Sequence, residues 1–108
     1  MNLDKSFDFI ARITYKNSQQ GGRTTPIYSG YRSQIKFNFT EMQTSGQQTL
    51  IGKDMVYPGE SIDVGIIITS PIIYENSLNE GTDFELREGA TVIGTGKILK
   101  ILNNELVR

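Results

Sequence analysis

Apolar and polar residues alternate with a period of two along most of this chain. That rhythm belongs to strands with one buried face rather than to helices. From Phe7 to Lys16 the odd positions Phe7, Phe9, Ala11, Ile13 and Tyr15 are apolar, while Asp8, Arg12, Thr14 and Lys16 fill most even ones. Ile35, Phe37 and Phe39 alternate with Lys36, Asn38 and Thr40, which predicts a second strand with its aromatic side inward. A third run, Ile62, Val64, Ile66 and Ile68, alternates with Asp63 and Gly65, and Ile67 interrupts its polar face. Phe84 and Leu86 alternate with Glu85 and Arg87. Shorter strands are predicted near Gln48 to Ile51, at Ile72-Ile73-Tyr74, and from Thr91 to Leu102. No stretch carries a convincing helical period.

The punctuation between these runs is that of turns. Asn17 to Gly22 is polar and closes on two glycines, Ser45-Gly46 reads as a hairpin turn, and Pro58-Gly59 fits the middle of a type II turn. Pro71 ends or bends the strand before it, residues 75–83 read as an exposed loop, and Glu88-Gly89-Ala90 turns the chain into its last strand. Short strands joined this way predict an all-β sandwich or closed barrel, and closure would remove exposed sheet edges. Phe9, Ile13, Ile35, Phe37, Phe39, Val64, Ile66, Phe84 and Leu86 are the expected core. A chain of 108 residues is expected to form one domain spanning residues 1–108.

Composition narrows the chemistry. The chain has no His and no Cys, so it cannot build a Ser-His-Asp triad, a cysteine nucleophile, a Cys/His zinc site or a disulfide framework. Eleven basic against twelve acidic residues give a net charge of -1, so any contact with nucleic acid must be local. The first residues lack a basic region followed by an apolar stretch, and no apolar run is long enough to span a bilayer, so a soluble, cytoplasmic protein is expected.

Gly94-Thr95-Gly96-Lys97 invites comparison with a phosphate loop, since glycines let amides approach phosphate and Lys supplies charge. Gly89 and Gly94 have the spacing of a Walker A sequence, but Thr95 stands where Lys is required and no helix follows. The glycines are expected to relieve crowding within a strand, and no binding of GTP is expected. Glu85 and Glu88, three apart on a strand, point to opposite faces and make a poor acid/base pair. Asp54, Glu60 and Asp63 read as turn and surface residues without calcium-loop spacing. No catalytic residue, metal site or cofactor is expected. Arg23, Arg32, Lys36, Arg87 and Lys97, with Tyr28 and Tyr31 interleaved, are candidates for a local cationic patch.

Gly21-Gly22-Arg23-Thr24-Thr25-Pro26 followed by Ser29-Gly30-Tyr31-Arg32-Ser33-Gln34 resembles the signature of the third, carboxy-terminal domain of bacterial elongation factor Tu. The resemblance continues in order through Met55-Val56-Tyr57-Pro58-Gly59-Glu60, Pro71-Ile72, Arg87-Glu88-Gly89 and Gly94-Thr95-Gly96, and covers about Phe7 to Leu102. It implies a six-stranded antiparallel closed barrel without catalysis, which in that family packs on the nucleotide-binding domain and touches the T stem of aminoacyl-tRNA. On that basis Gln34, Thr44 and Glu88, with Arg23 and Arg32 nearby, are candidate RNA contacts. Gln and Thr suit 2'-hydroxyls, and a carboxylate suits a 2'-hydroxyl or a guanine amino group. The implied partner is tRNA or a translation-factor protein. The rival expectation is a protein-binding module that presents this family's surface to a translation factor or a toxin, with Tyr28 and Tyr31 as anchors.

Departures from the family pattern are specific. Thr24 stands at its usual His, Ser33 at its usual Pro, and Ala90-Thr91 at its usual Gly-Arg. The loop after Pro71-Ile72 is longer, and residues 43–48 are expanded.

Overall fold

A computed structural model describes residues 7–108. Among the described residues eight strands form in chain order: β1 (Phe9–Tyr15), β2 (Ile27–Tyr28), β3 (Tyr31–Phe37), β4 (Thr44–Leu50), β5 (Met55–Val56), β6 (Ser61–Ile68), β7 (Asp83–Glu88) and β8 (Thr91–Ile101). Six of them close an antiparallel barrel in the order β1-β6-β4-β3-β7-β8, with β8 returning to β1. Strands β2 and β5 form a separate two-stranded ribbon, Ile27 opposite Val56, and bury both of those side chains in the same core.

The alternation explains the barrel directly. Successive side chains of a strand point to opposite faces, so Phe9, Ala11, Ile13 and Tyr15 all face inward while Arg12 and Thr14 face solvent. Ile62, Val64, Ile66 and Ile68 do the same on β6. Phe9, Phe37 and Phe84 meet edge to face at 5.9–6.1 Å between ring centres, and Tyr74 adds its edge to Phe37 at 5.0 Å. Eight of the nine expected core residues are buried.

Phe39 is the exception at 50% exposure. Its alternation with Phe37 continues past the point where β3 ends, because the chain turns there with Thr40 N–H donating to the Phe37 carbonyl. Phe39 lies outside the barrel, stacked on the Phe37 ring at 5.9 Å. Two further expectations are corrected. Ser45-Gly46 is not a turn but lies inside β4, because a side chain at Gly46 would collide with Ile35 of the paired strand and only Gly fits there. Ile72-Ile73-Tyr74 is not a strand but part of a 3-10 turn (Pro71–Tyr74), which Pro71 starts at the position where its missing N–H costs nothing.

The Pro58-Gly59 turn forms as expected, with Gly59 at φ 96° and Glu60 N–H donating to the Tyr57 carbonyl. The polar segment after β1 holds a single 3-10 turn (Ser18–Gln20) capped by Asn17. Gly94-Thr95-Gly96-Lys97 lies within β8, where a side chain at Gly96 would run into the Phe84 ring, so the glycines relieve crowding.

At the Phe37 end, residues 103–108 fold back over the long loop after β6. Asn76 and Leu78 amides donate to the Glu105 and Leu106 carbonyls, Arg108 N–H donates to Leu78, and Leu78 and Leu106 are buried. The buried Asp8 carboxylate accepts from Ile68 N–H at 2.8 Å and from the Asn103 amide at 3.0 Å, fastening this segment to the barrel.

Candidate functional site

The opposite end of the barrel gathers the candidate residues. Glu88 ends β7, Tyr31 begins β3, and Arg23 comes from the loop ahead of β2. The Arg23 guanidinium donates to Glu88 Oε2 at 2.6 Å and to Thr25 Oγ1 at 2.9 Å, and lies 4.8 Å from the centre of the Tyr31 ring. The Tyr31 hydroxyl donates to the same Glu88 oxygen. The carboxylate thus takes two charge-assisted or polar bonds, and the cation also gains the ring's negative face.

Titration follows from those contacts. The Tyr31 hydroxyl bond, with the Arg23 bond and charge, holds the Glu88 carboxyl below its ordinary value against the opposing effect of burial. Burial, with the bond to Glu88, pushes the Tyr31 hydroxyl up, so it stays a neutral donor at pH 7. A carboxyl with a depressed folded pKa contributes stability that is fully present above its unfolded value and lost as pH falls through the folded one. Glu88→Gln is expected to cost at most about 1 kcal/mol at pH 7, since its side chain is 41% exposed and solvent screens the pair. That cost should shrink once pH falls below 4.5, the ordinary value. Urea unfolding of both proteins between pH 7 and 3 checks it, and a gap that widens on acidification would contradict this arrangement.

Beneath the cluster, the core contains a polar chain. The Tyr15 hydroxyl donates to Gln48 Oε1, and Gln48 Nε2 donates to Ser33 Oγ at 3.0 Å, with all three side chains buried. Burial raises the Tyr15 hydroxyl's pKa, with Arg23 opposing, so it remains protonated. Ser33, standing where the resembled family has Pro, therefore has a defined partner.

The other sequence-derived candidates are distributed as follows. Arg32 and Gln34 lie on the outer face of β3, Gln34 paired in register with Ser45 of β4 and Arg87 of β7. Arg32 reaches Ser45 Oγ and Gln47 Oε1 at 3.4 and 3.3 Å. Thr44 faces inward at 6% exposure, so the outward hydroxyl at that step of β4 belongs to Ser45. Tyr28 is 57% exposed on the small ribbon, whereas Tyr31 is half-buried and committed to Glu88. Lys36 and Lys97 lie away from Arg23, so the expected cationic patch is split between the barrel end and its outer wall. Glu85 pairs with Arg87 at 2.6 Å and Glu88 with Arg23, so the two carboxylates serve different cations. Among the described residues no group of His, Asp or Glu is placed to hold a metal ion.

The fold and site together define a small closed six-stranded β-barrel domain in which a Gly-Gly-Arg loop folds against a Glu at the end of the fifth barrel strand in chain order. The chain belongs to the family of the elongation factor Tu C-terminal domain, which matches residues 3–102. In that family the domain binds rather than catalyses. The segment at 103–108 that clasps the long loop lies outside the matched residues. Among the described residues no helix is long and apolar enough to cross a membrane.

Proposed function

We propose that this chain is a single-domain, non-catalytic binding module of translation, working in the cytoplasm, whose partner is tRNA. The carrying observation is the outward array of Arg32, Gln34 and Arg87 on neighbouring strands, beside an Arg23–Glu88 pair whose carboxylate charge is already met. A partly exposed amide on the outer face, beside Arg32 and the Glu85-paired Arg87, suits the wide minor groove of an A-form stem, with Gln34 on 2'-hydroxyls and Arg on phosphate. Membership of the translation-factor family supports the same reading.

With a net charge of -1, only a few phosphates are neutralised, so affinity should be no tighter than about micromolar and should fall with salt. Gln34→Ala is expected to weaken binding with little change in thermal stability, and Arg32→Ala to flatten the salt dependence. Titration of labelled aminoacyl-tRNA at two salt concentrations tests this. Absence of binding to tRNA or a matched duplex at millimolar protein in low salt would end the RNA reading.

A second reading rests on a separate observation. Tyr28 and Tyr57, on and beside the β2–β5 ribbon, are both more than half exposed, and exposed aromatic rings anchor protein interfaces. On this reading the partner is a translation-factor protein or a toxin that recognises one. Tyr28→Ala then abolishes capture of the purified partner and leaves tRNA titrations unchanged.

A further inference from the structure

Two departures from the family pattern meet at the Phe37 end of the barrel. The lengthened loop after Pro71-Ile72 and residues 103–108, which lie outside the family match, close with the turn after β3 around a cleft of about 440 Å³. Phe39 forms one side of it, and Asn38, Asn76, Asn79, Thr82 and Arg108 are among the residues lining the rest.

Backbone hydrogen bonds hold the walls of this cleft in place. Asn38 N–H donates to the Asp83 carbonyl at 3.0 Å, and Asn76 N–H to the Glu105 carbonyl at 2.9 Å. Asn79 and Thr82 clasp each other, Asn79 N–H donating to Thr82 Oγ1 and Thr82 N–H to the Asn79 carbonyl, both at 3.1 Å. Asn76 holds a left-handed conformation at φ 57°, which Asn adopts more readily than most residues. Among the described residues the three asparagine side chains make no hydrogen bond, so each presents a free amide with two donors and an acceptor.

Phe39 is fixed as firmly. Its ring lies at 10° to that of the fully buried Phe37, with 5.9 Å between centres, and half of its surface stays in water. A ring backed by the core and half open to solvent is a ready stacking surface, and the amides beside it can meet the mixed donors and acceptors of a base edge. Arg108 is the only charged residue among those lining the cleft, so no lining carboxylate opposes a phosphate. The cleft also continues the surface proposed for RNA. The outward positions of β3 run Arg32, Gln34, Lys36, and Asn38 takes the next outward step. Four extended residues from Gln34 to Asn38 span about 13 Å, a distance that a few unpaired nucleotides cover.

We propose that this cleft holds an unpaired base of the RNA partner, stacked on Phe39 with its edge on the amides of Asn38, Asn76 and Asn79 and its phosphate toward Arg108. The site rests on the RNA reading of the outer β3 face and adds to it a requirement for single-stranded nucleotides beside the stem. Stacking supplies most of the affinity and tolerates any base, since every base has a π-face.

The test uses fluorescence anisotropy on the whole chain to compare a blunt RNA duplex with the same duplex carrying a few unpaired adenosines at its 3' or at its 5' ends. One of the two tailed duplexes is expected to bind about tenfold tighter than the blunt one, and abasic units in place of the adenosines should give no gain. Phe39→Leu, which keeps apolar bulk and removes the ring, should erase the gain and leave the blunt duplex unaffected, whereas Phe39→Tyr should retain it. Asn79→Ala should weaken the tailed duplex alone by about fivefold. A blunt duplex that binds with neither tail adding affinity, or a gain that survives abasic replacement, Phe39→Leu or Asn79→Ala undiminished, overturns the base site and leaves the stem contact standing. Amide NMR with a free oligoadenylate covers the case of a duplex that does not bind. Saturable shifts at Asn38, Phe39, Asn76 and Asn79 by about 10 mM, lost in Phe39→Leu, then uphold the cleft and remove only the stem contact, and their absence overturns both.

Discussion

Phe37→Ala is expected to destabilise this protein by about 3–5 kcal/mol and to lower Tm by on the order of 15 °C, the largest effect of any single truncation considered. Phe37 is fully buried and is the ring on which the others converge: Phe9 and Phe84 from the barrel, Tyr74 from the 3-10 turn, and Phe39 from outside. Removing it deletes the aromatic contacts and leaves a cavity bounded by rigid strands that cannot collapse to fill it. The same change at Phe39 should cost no more than about 1 kcal/mol, since half of that ring is already in water. Urea unfolding of the two variants compares them, and equal losses would mean that Phe39 belongs to the core.

The second large effect lies in the polar chain of the core. Gln48→Leu strands two buried hydroxyls, those of Tyr15 and Ser33, and each unsatisfied buried group costs about 1–3 kcal/mol. The single variant should therefore lose about 2–4 kcal/mol. Replacing the partners as well, with Tyr15→Phe and Ser33→Ala in the same chain, should recover most of that loss, because an apolar set of similar shape leaves nothing unpaired. A triple variant less stable than Gln48→Leu would show that the three groups act independently of one another. Burial keeps the Tyr15 hydroxyl protonated, so the chain should hold unchanged across neutral pH.

The barrel was legible because its signal is local and repeated. Phe9 to Tyr15 or Ile62 to Ile68 specify an inward face by parity alone, and every neighbouring strand demands the same core. Errors arose where a tertiary neighbour decided the matter. Gly46 has the local character of a turn, and only the Ile35 side chain reveals why a strand needs Gly there. Ile72 and Ile73 are strong strand formers placed in a 3-10 turn by Pro71, with Tyr74 anchored on Phe37. The candidate site was legible only through family resemblance. Arg23 and Glu88 are 65 residues apart, and Tyr31 and Glu88 57 apart, so no spacing rule joins them. Tyr31, an expected anchor for a partner protein, places its hydroxyl on Glu88.

Closure of the barrel by β8 against β1 also bears on how the chain is made. Strand β1 is synthesised first among the strands, yet one of its two edges has no partner until β8 has been translated. Until β8 joins, β1, and β7 once it has been made, each carry an unsatisfied edge able to pair with other chains. The barrel is thus expected to close only once β8 is available, at the millisecond-to-second pace of nonlocal β pairing.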